Sequence, residues 1–252
     1  MPTTQMHVVL SDQHIPFQDP IIEDMTIEFL REHKPKVIHL LGDILDFYSL
    51  SRFDKDPARK QSLQGELDGA TKYFARLRNA CPRARIIYSE GNHENRLRRY
   101  LWSQAQALSD LRSLTFEELL GLDKYRIEWV DASKPYRIGN LLFIHGELVR
   151  RSSGASAKGH MDKFGCHVIH GHTHRLGAHY HRTFDTMLGA WENGCLCDLN
   201  PEYATCPDWQ NGWSVVWFHG DIFHVEQVCV TDHEYVYHGK LHKHRKRTRK
   251  KQ

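Results

Sequence analysis

Nine polar side chains stand just beyond apolar runs, and they are of the types that bind metal ions and move protons. Asp12 and His14 follow "HVVL", while Asp43 and, three residues later, Asp46 follow "VIHLL". Asn92 and His93 follow "RIIYSEG", His145 follows "NLLFI", and His172 and His174 follow "HVIHG". A lone histidine after a strand is more often a cap or a surface residue, and an aspartate there more often caps a helix. Repetition at five run ends is what those ordinary roles do not produce. Oxygen and nitrogen donors without thiolates suit borderline or hard divalent ions such as manganese, iron or zinc. Seven plausible ligands exceed what one tetrahedral ion takes, and they suit two ions with one carboxylate between them.

The runs must position these groups. "MHVVLSD" (6–12), "KVIHLLGD" (36–43) and "ARIIYSEGNHE" (84–94) read as strands. Residues 19–33 read as a helix opened by Asp19 and Pro20, a second helix spans about 63–79, and 94–108 form a third. This alternation predicts a largely parallel sheet with helices packed on it. Beyond residue 125 strands dominate, in "RIEWV", "NLLFIHG", "CHVIHGHTH", "GWSVVWF" and "IFHVEQVCV". A short helix around 156–164 interrupts them, and "HGD" at 219–221 suits a hairpin turn. In open sheets of this kind ligands collect at the carboxyl ends of strands, where the nine side chains fall. The expectation is one α/β domain over residues 1–238, with sheets packed face to face and helices outside.

Composition narrows the class. A chain of 252 residues buries a substantial core, and no stretch approaches the roughly 18 apolar residues of a membrane span. The start of the chain has no basic and apolar pattern of a secretion signal, so a cytoplasmic location is expected. The six cysteines read as reduced, structural thiols. Cys195, Cys197 and Cys206 lack a fourth partner for zinc. The formal charge of +3 is divided unevenly, because residues 240–251 carry eight basic side chains and no acid. The body is therefore mildly acidic and residues 239–252 form a basic tail, expected to be disordered.

The ordered set D-x-H (Asp12–His14), G-D-x-x-D (Gly42–Asp46), G-N-H-E (Gly91–Glu94), H-G (His145–Gly146) and G-H-T-H (Gly171–His174) resembles the calcineurin-like metallophosphoesterase superfamily. The likeness is greatest to members frequent in bacteriophage and bacterial genomes. All five blocks stand in the family order. The resemblance implies a four-layer α/β/β/α sandwich. It implies one ion on Asp12, His14 and His174, a second on Asn92, His145 and His172, and Asp43 bridging both. It further implies that His93 contacts phosphate and protonates the leaving oxygen, with Asp46 orienting its ring. Two divalent ions, manganese foremost and iron, zinc, nickel or cobalt as alternatives, would create a bridging hydroxide that attacks phosphorus in line. The implied reaction is hydrolysis of phosphate monoesters or diesters, nucleotides among them.

One departure bears on substrate. The superfamily's protein phosphatases carry an arginine where this chain has Phe47. Asn92, Arg96 and Arg150 are the candidate substrate contacts in its place. A nuclease acting on DNA or RNA ends is the alternative, because the tail's cations, with His238, His242 and His244 interleaved, suit phosphate contacts. A scaffold that keeps the fold without activity is the other, but such scaffolds lose catalytic histidines and these are all present.

Overall fold

The computed structural model describes residues 3–52, 62–201 and 204–244. Its first half runs β1 (Gln5–Leu10), α1 (Pro20–His33), β2 (Val37–Leu40), α2 (Leu63–Ala80), β3 (Arg85–Ser89), α3 (Asn95–Gln104), α4 (Phe116–Leu120) and β4 (Ile127–Val130). The α1 start is chemically determined. The Asp19 carboxylate accepts from the N–H groups of Ile21 and Ile22, and Pro20 occupies the first turn, where no N–H is needed. Ser62 caps α2 in the same way through the Gly65 N–H.

The second half runs β5 (Tyr136–Ile138), β6 (Leu141–Ile144), α5 (Ala155–Phe164), β7 (His167–His170), β8 (Leu176–Arg182), β9 (Met187–Asn193), β10 (Gly212–His219), β11 (Ile222–Cys229), β12 (Glu234–Tyr237) and β13 (Lys240–Lys243). One sheet has the order β11-β10-β1-β2-β3-β4, and a second has β5-β6-β7-β9-β8. β1 to β4 are mutually parallel, as are β6, β7 and β9.

Strand alternation builds the layers. Val8, Leu10, Ile38, Leu40, Ile86 and Tyr88 face α1 and α2, among Phe29, Leu30, Phe74 and Leu77. Their neighbours Val9 and Leu41 point to the opposite face, where they meet Leu141, Phe143, Ile169 and Trp191 of the second sheet. On the far side of that sheet, Leu142, Val168 and Ala190 pack against Ala157 and Met161 of α5. The result is helix, sheet, sheet, helix.

β8 and β9 have no counterpart among the strands read from the sequence. β13 falls within residues 239–252 and pairs with β12 in register Glu234 to Lys243. Tyr235 and Tyr237 pin that hairpin against Phe29, and Tyr235 also packs on Trp213. The rest of the basic tail, residues 245–252, lies outside the described residues. The turn at Gly220 and Asp221 joins β10 to β11 as expected, with His219 opposite Ile222.

Candidate metal centre

The strand register brings the donors together. Leu10 pairs with Leu40 and Leu40 with Tyr88, so the loops carrying Asp12, Asp43 and Asn92 leave one rim side by side. Ile144 pairs with His170, which places His145 and the His172–His174 loop together on the second sheet. Asp12, His14 and His174 form one buried cluster, and Asp43, His145 and His172 form another, with all ligand atoms of each within 4.8 Å of one another. Asp43 joins them: its Oδ2 lies 3.2 Å from His145 Nε2, 3.6 Å from His93 Nε2 and 3.9 Å from His14 Nε2. Asn92 Oδ1 lies 2.9 Å from His145 Nε2.

The donor set fits divalent ions. His145 Nδ1 faces the Leu41 carbonyl at 2.7 Å, so that nitrogen carries a proton and donates it. His14 Nδ1 lies 3.1 Å from Asp46 Oδ2 and does the same. In the neutral rings both Nε2 atoms then present lone pairs, His145 toward Asn92 and the Asp43 carboxylate, and His14 toward His174 Nε2 at 3.0 Å. A proton or a metal ion at His145 Nε2 relieves its meeting with Asp43, and an ion or the Nε2–H of His174 satisfies His14. An imidazole whose far nitrogen is held by a carbonyl or carboxylate is also how ligating histidines are oriented. The electrostatics agree. Burial works against charge on His145, but Asp43 and Asp12 outweigh it and push the ring up to about 10. His174 is likewise raised to about 10, burial being overcome by Cys197 and Asp12. Burial would raise Asp43, yet His145 and His93 hold its carboxyl well below the usual range.

Backbone geometry at the rim is unusual. Asp12, His14, Asp43, His172 and His174 all have positive φ, between 51° and 69°, which costs a non-glycine residue roughly 1–2 kcal/mol each. Such strain collects where function over-determines position. The loops also approach too closely for side chains. A Cβ on Gly91 would sit 2.2 Å from Asp43 Oδ1, and one on Gly171 would sit 2.4 Å from Asp12 Oδ2. Those contacts explain the glycines that open the "GNHE" and "GHTH" blocks.

Glu94, assigned no task from the sequence, proves central. Its buried carboxylate accepts from the backbone N–H groups of Asp43, Ile44, Leu45 and Gly91 and from the Tyr88 hydroxyl. It therefore ties the Asp43 loop to the Asn92 loop. Asp43 Oδ1 in turn accepts the His93 N–H.

His93 forms a further such group with His14 and Asp43, while its Nδ1 donates to the Asp46 carbonyl at 2.9 Å and lies 3.3 Å from its Oδ2. Asp46 is shared, because the same Oδ2 holds His14. Arg96 donates to the Asp46 carbonyl and approaches His93 Nε2 at 3.0 Å. Burial lowers the His93 pKa, but Asp43 and Asp46 together raise it above the usual histidine value. Arg150 is exposed, with its guanidinium over Gly159 of α5, and it does not line the cleft that Asn92 and Arg96 share. Cys195 and Cys197 are buried free thiols gathered with His174, whereas Cys206 is exposed. Cys197 Sγ lies 3.8 Å from His174 Nδ1, a contact that no local sequence signal announces. Among the described residues, no helix is long and apolar enough to cross a membrane.

No family model matches the chain. Two phage proteins, each called Gene 54 protein, are similar along most of it. That of Mycobacterium phage D29 is 29% identical over 239 residues, which span 88% of this chain and 92% of its own. That of Mycobacterium phage L5 is 26% identical over 249 residues, 93% of this chain and 97% of its own. Among solved structures, Vacuolar Protein Sorting 29 from Cryptosporidium parvum shares 13% identity with a TM-score of 0.49 and covers 95% of both chains. Yfce, a phosphoesterase from E. coli, shares 14% with a TM-score of 0.42 over 90% of this chain and 100% of its own. Two face-to-face sheets clad by helices, with the ordered donor blocks on one rim, make the four-layer α/β/β/α sandwich that the sequence leads one to expect.

Proposed function

We propose that the chain hydrolyses phosphate monoesters or diesters with two divalent ions, manganese foremost. Asp12, His14 and His174 would hold one ion, Asn92, His145 and His172 the other, and Asp43 both. The observation that carries this reading is the convergence of two donor sets, Asp12 with His14 and His174, and Asp43 with His145 and His172, each with its ligand atoms within 4.8 Å of one another, and with Asn92 Oδ1 against His145. When bound, the two ions supply a hydroxide nucleophile at neutral pH and positive charge for the phosphoryl oxygens.

The chain's own residues do the rest. Asn92 is exposed at the cleft and offers its amide to a phosphate oxygen. His93, held at Nδ1 by Asp46, uses Nε2 to give a proton to the leaving oxygen. In the resting arrangement Arg96 occupies that nitrogen. An arriving phosphoryl group attracts the guanidinium and frees Nε2 to carry the proton. The relatives belong to mycobacteriophages, and we place the activity inside an infected bacterial cell.

The test is an assay of chelator-treated protein on chromogenic monoesters and diesters, before and after manganese is added. About two ions bound per chain and restored turnover are expected. Trace metal at most, with no gain of activity, overturns the reading and leaves a non-catalytic scaffold.

A further inference from the structure

A cleft of about 460 Å³ leads away from Asn92 along α3. One wall is a single face of that helix, for Arg96, Arg99, Tyr100 and Ser103 recur at intervals of three and four residues. Arg52, beyond the short turn at Tyr48–Leu50, lines the same space. No acidic side chain is among the described lining residues. Arg96 is taken up by Asp46 and His93. Arg52 and Arg99 are exposed, and no carboxylate pairs with either among the described residues.

Arginines on a helix commonly serve only to solvate it. Three that converge on one concavity abutting the Asn92 amide, two of them without a carboxylate partner among the described residues, do more. We infer that this cleft is a subsite for a second anionic group, and that the substrate is a nucleotide bearing a phosphate besides the one that reacts. The planar guanidinium fork matches phosphate oxygens two at a time. Tyr100, 43% exposed, offers an aromatic face on which a base stacks. The volume is that of a small-ligand pocket. This inference rests on reading the metal centre as the site of phosphoester hydrolysis, and it adds the identity of the substrate.

The experiment compares two chromogenic substrates with the same scissile bond, the nitrophenyl ester of a nucleoside 5′-phosphate with and without a 3′-phosphate. In the manganese-loaded wild-type chain the extra phosphate should raise kcat/KM by roughly tenfold to a hundredfold, the range for a charge-assisted contact. That ratio should collapse toward one in Arg99→Glu and Arg52→Glu, both at exposed positions where charge reversal does not disturb the core. A ratio near one in the wild type, or one that survives both substitutions, overturns the subsite.

Calorimetry on chelator-treated protein separates the subsite from the hydrolase reading. If no ester is turned over but a nucleoside 3′,5′-bisphosphate binds more tightly than the 5′-monophosphate and loses that advantage in Arg99→Glu, the subsite stands without the enzyme. If a hexose bisphosphate binds as tightly as the nucleoside bisphosphate, the nucleotide assignment falls.

Discussion

Asp43 is the residue on which both clusters depend, since its carboxylate reaches His145, His14 and His93. Asp43→Asn keeps the shape and removes the charge that would neutralise the two proposed cations, so activity should fall by roughly 10³ or more. A variant with more than a tenth of the wild-type rate would show that Asp43 does not bridge. His93 differs, since its nitrogens face Asp46 and Arg96. His93→Ala should leave the metal content near two per chain and lower the rate by about 10²–10⁴. The loss should be greater for alkoxide leaving groups, which need a proton, than for nitrophenolate. Equal loss across leaving groups would make His93 a phosphate contact only. Asp46→Asn should be harsher than a simple orienting role suggests, because the same carboxylate oxygen also holds His14. It should therefore lower metal affinity as well as rate.

At the scale of elements, the rim is a set of loops fastened to one another. Glu94 makes the main fastening, with four N–H groups and one hydroxyl on two oxygens. Glu94→Gln turns an NH₂ toward buried donors, which costs about 1–3 kcal/mol for each group left unpaired. The melting temperature and the number of ions bound should both drop. A variant with unchanged metal affinity would show that the Asp43 loop holds itself. How far the sequence foretells these elements depends on what each residue contacts. The helices and inner strands are legible because their apolar spacing is local, as in α1 behind its Asp19 cap. β8 is not, since it is an edge strand whose "LGAHYHR" is largely exposed and lacks an apolar alternation. The β12–β13 hairpin is obscured by the basic residues that begin in it, and only its tyrosines, packed on Phe29 and Trp213, reveal why it is ordered. The same distinction divides the site. Candidate donors that follow strands announce themselves in order, whereas Cys197 behind His174 and Asp46 shared with His14 arise from contacts between distant segments.

The whole molecule carries a second group of histidines that the chemistry does not use. His7 and His39 lie between the two sheets, 4% and 1% exposed. His39 stacks on Phe143 at 4.0 Å, and His7 packs on Phe218 at 4.7 Å. Burial, with the Arg85 charge adding to it, lowers His7 to about 4. Burial and the neighbouring His7 hold His39 well below its usual value. In the unfolded chain both titrate near 6.5. Below that pH the unfolded state takes up protons that the folded core refuses, so their contribution to stability is present above about 6.5 and is lost as pH falls toward about 4. Each ring adds a slope approaching about 1.4 kcal/mol per pH unit. His145 and His174 act with the opposite sign in the metal-free protein. Raised to about 10, they stabilise below the unfolded value and lose that effect as pH rises through about 10, so they cannot cause an acid-side decline. Urea midpoints of chelated protein at about pH 7.5 and about pH 5 should therefore fall steeply in the wild type. In His7→Leu/His39→Leu, which removes both partners of the buried pair, the fall should be clearly shallower, whatever the variant's stability at the higher pH. An identical pH dependence in the two proteins would show that the acid sensitivity arises elsewhere, at the metal centre or the surface.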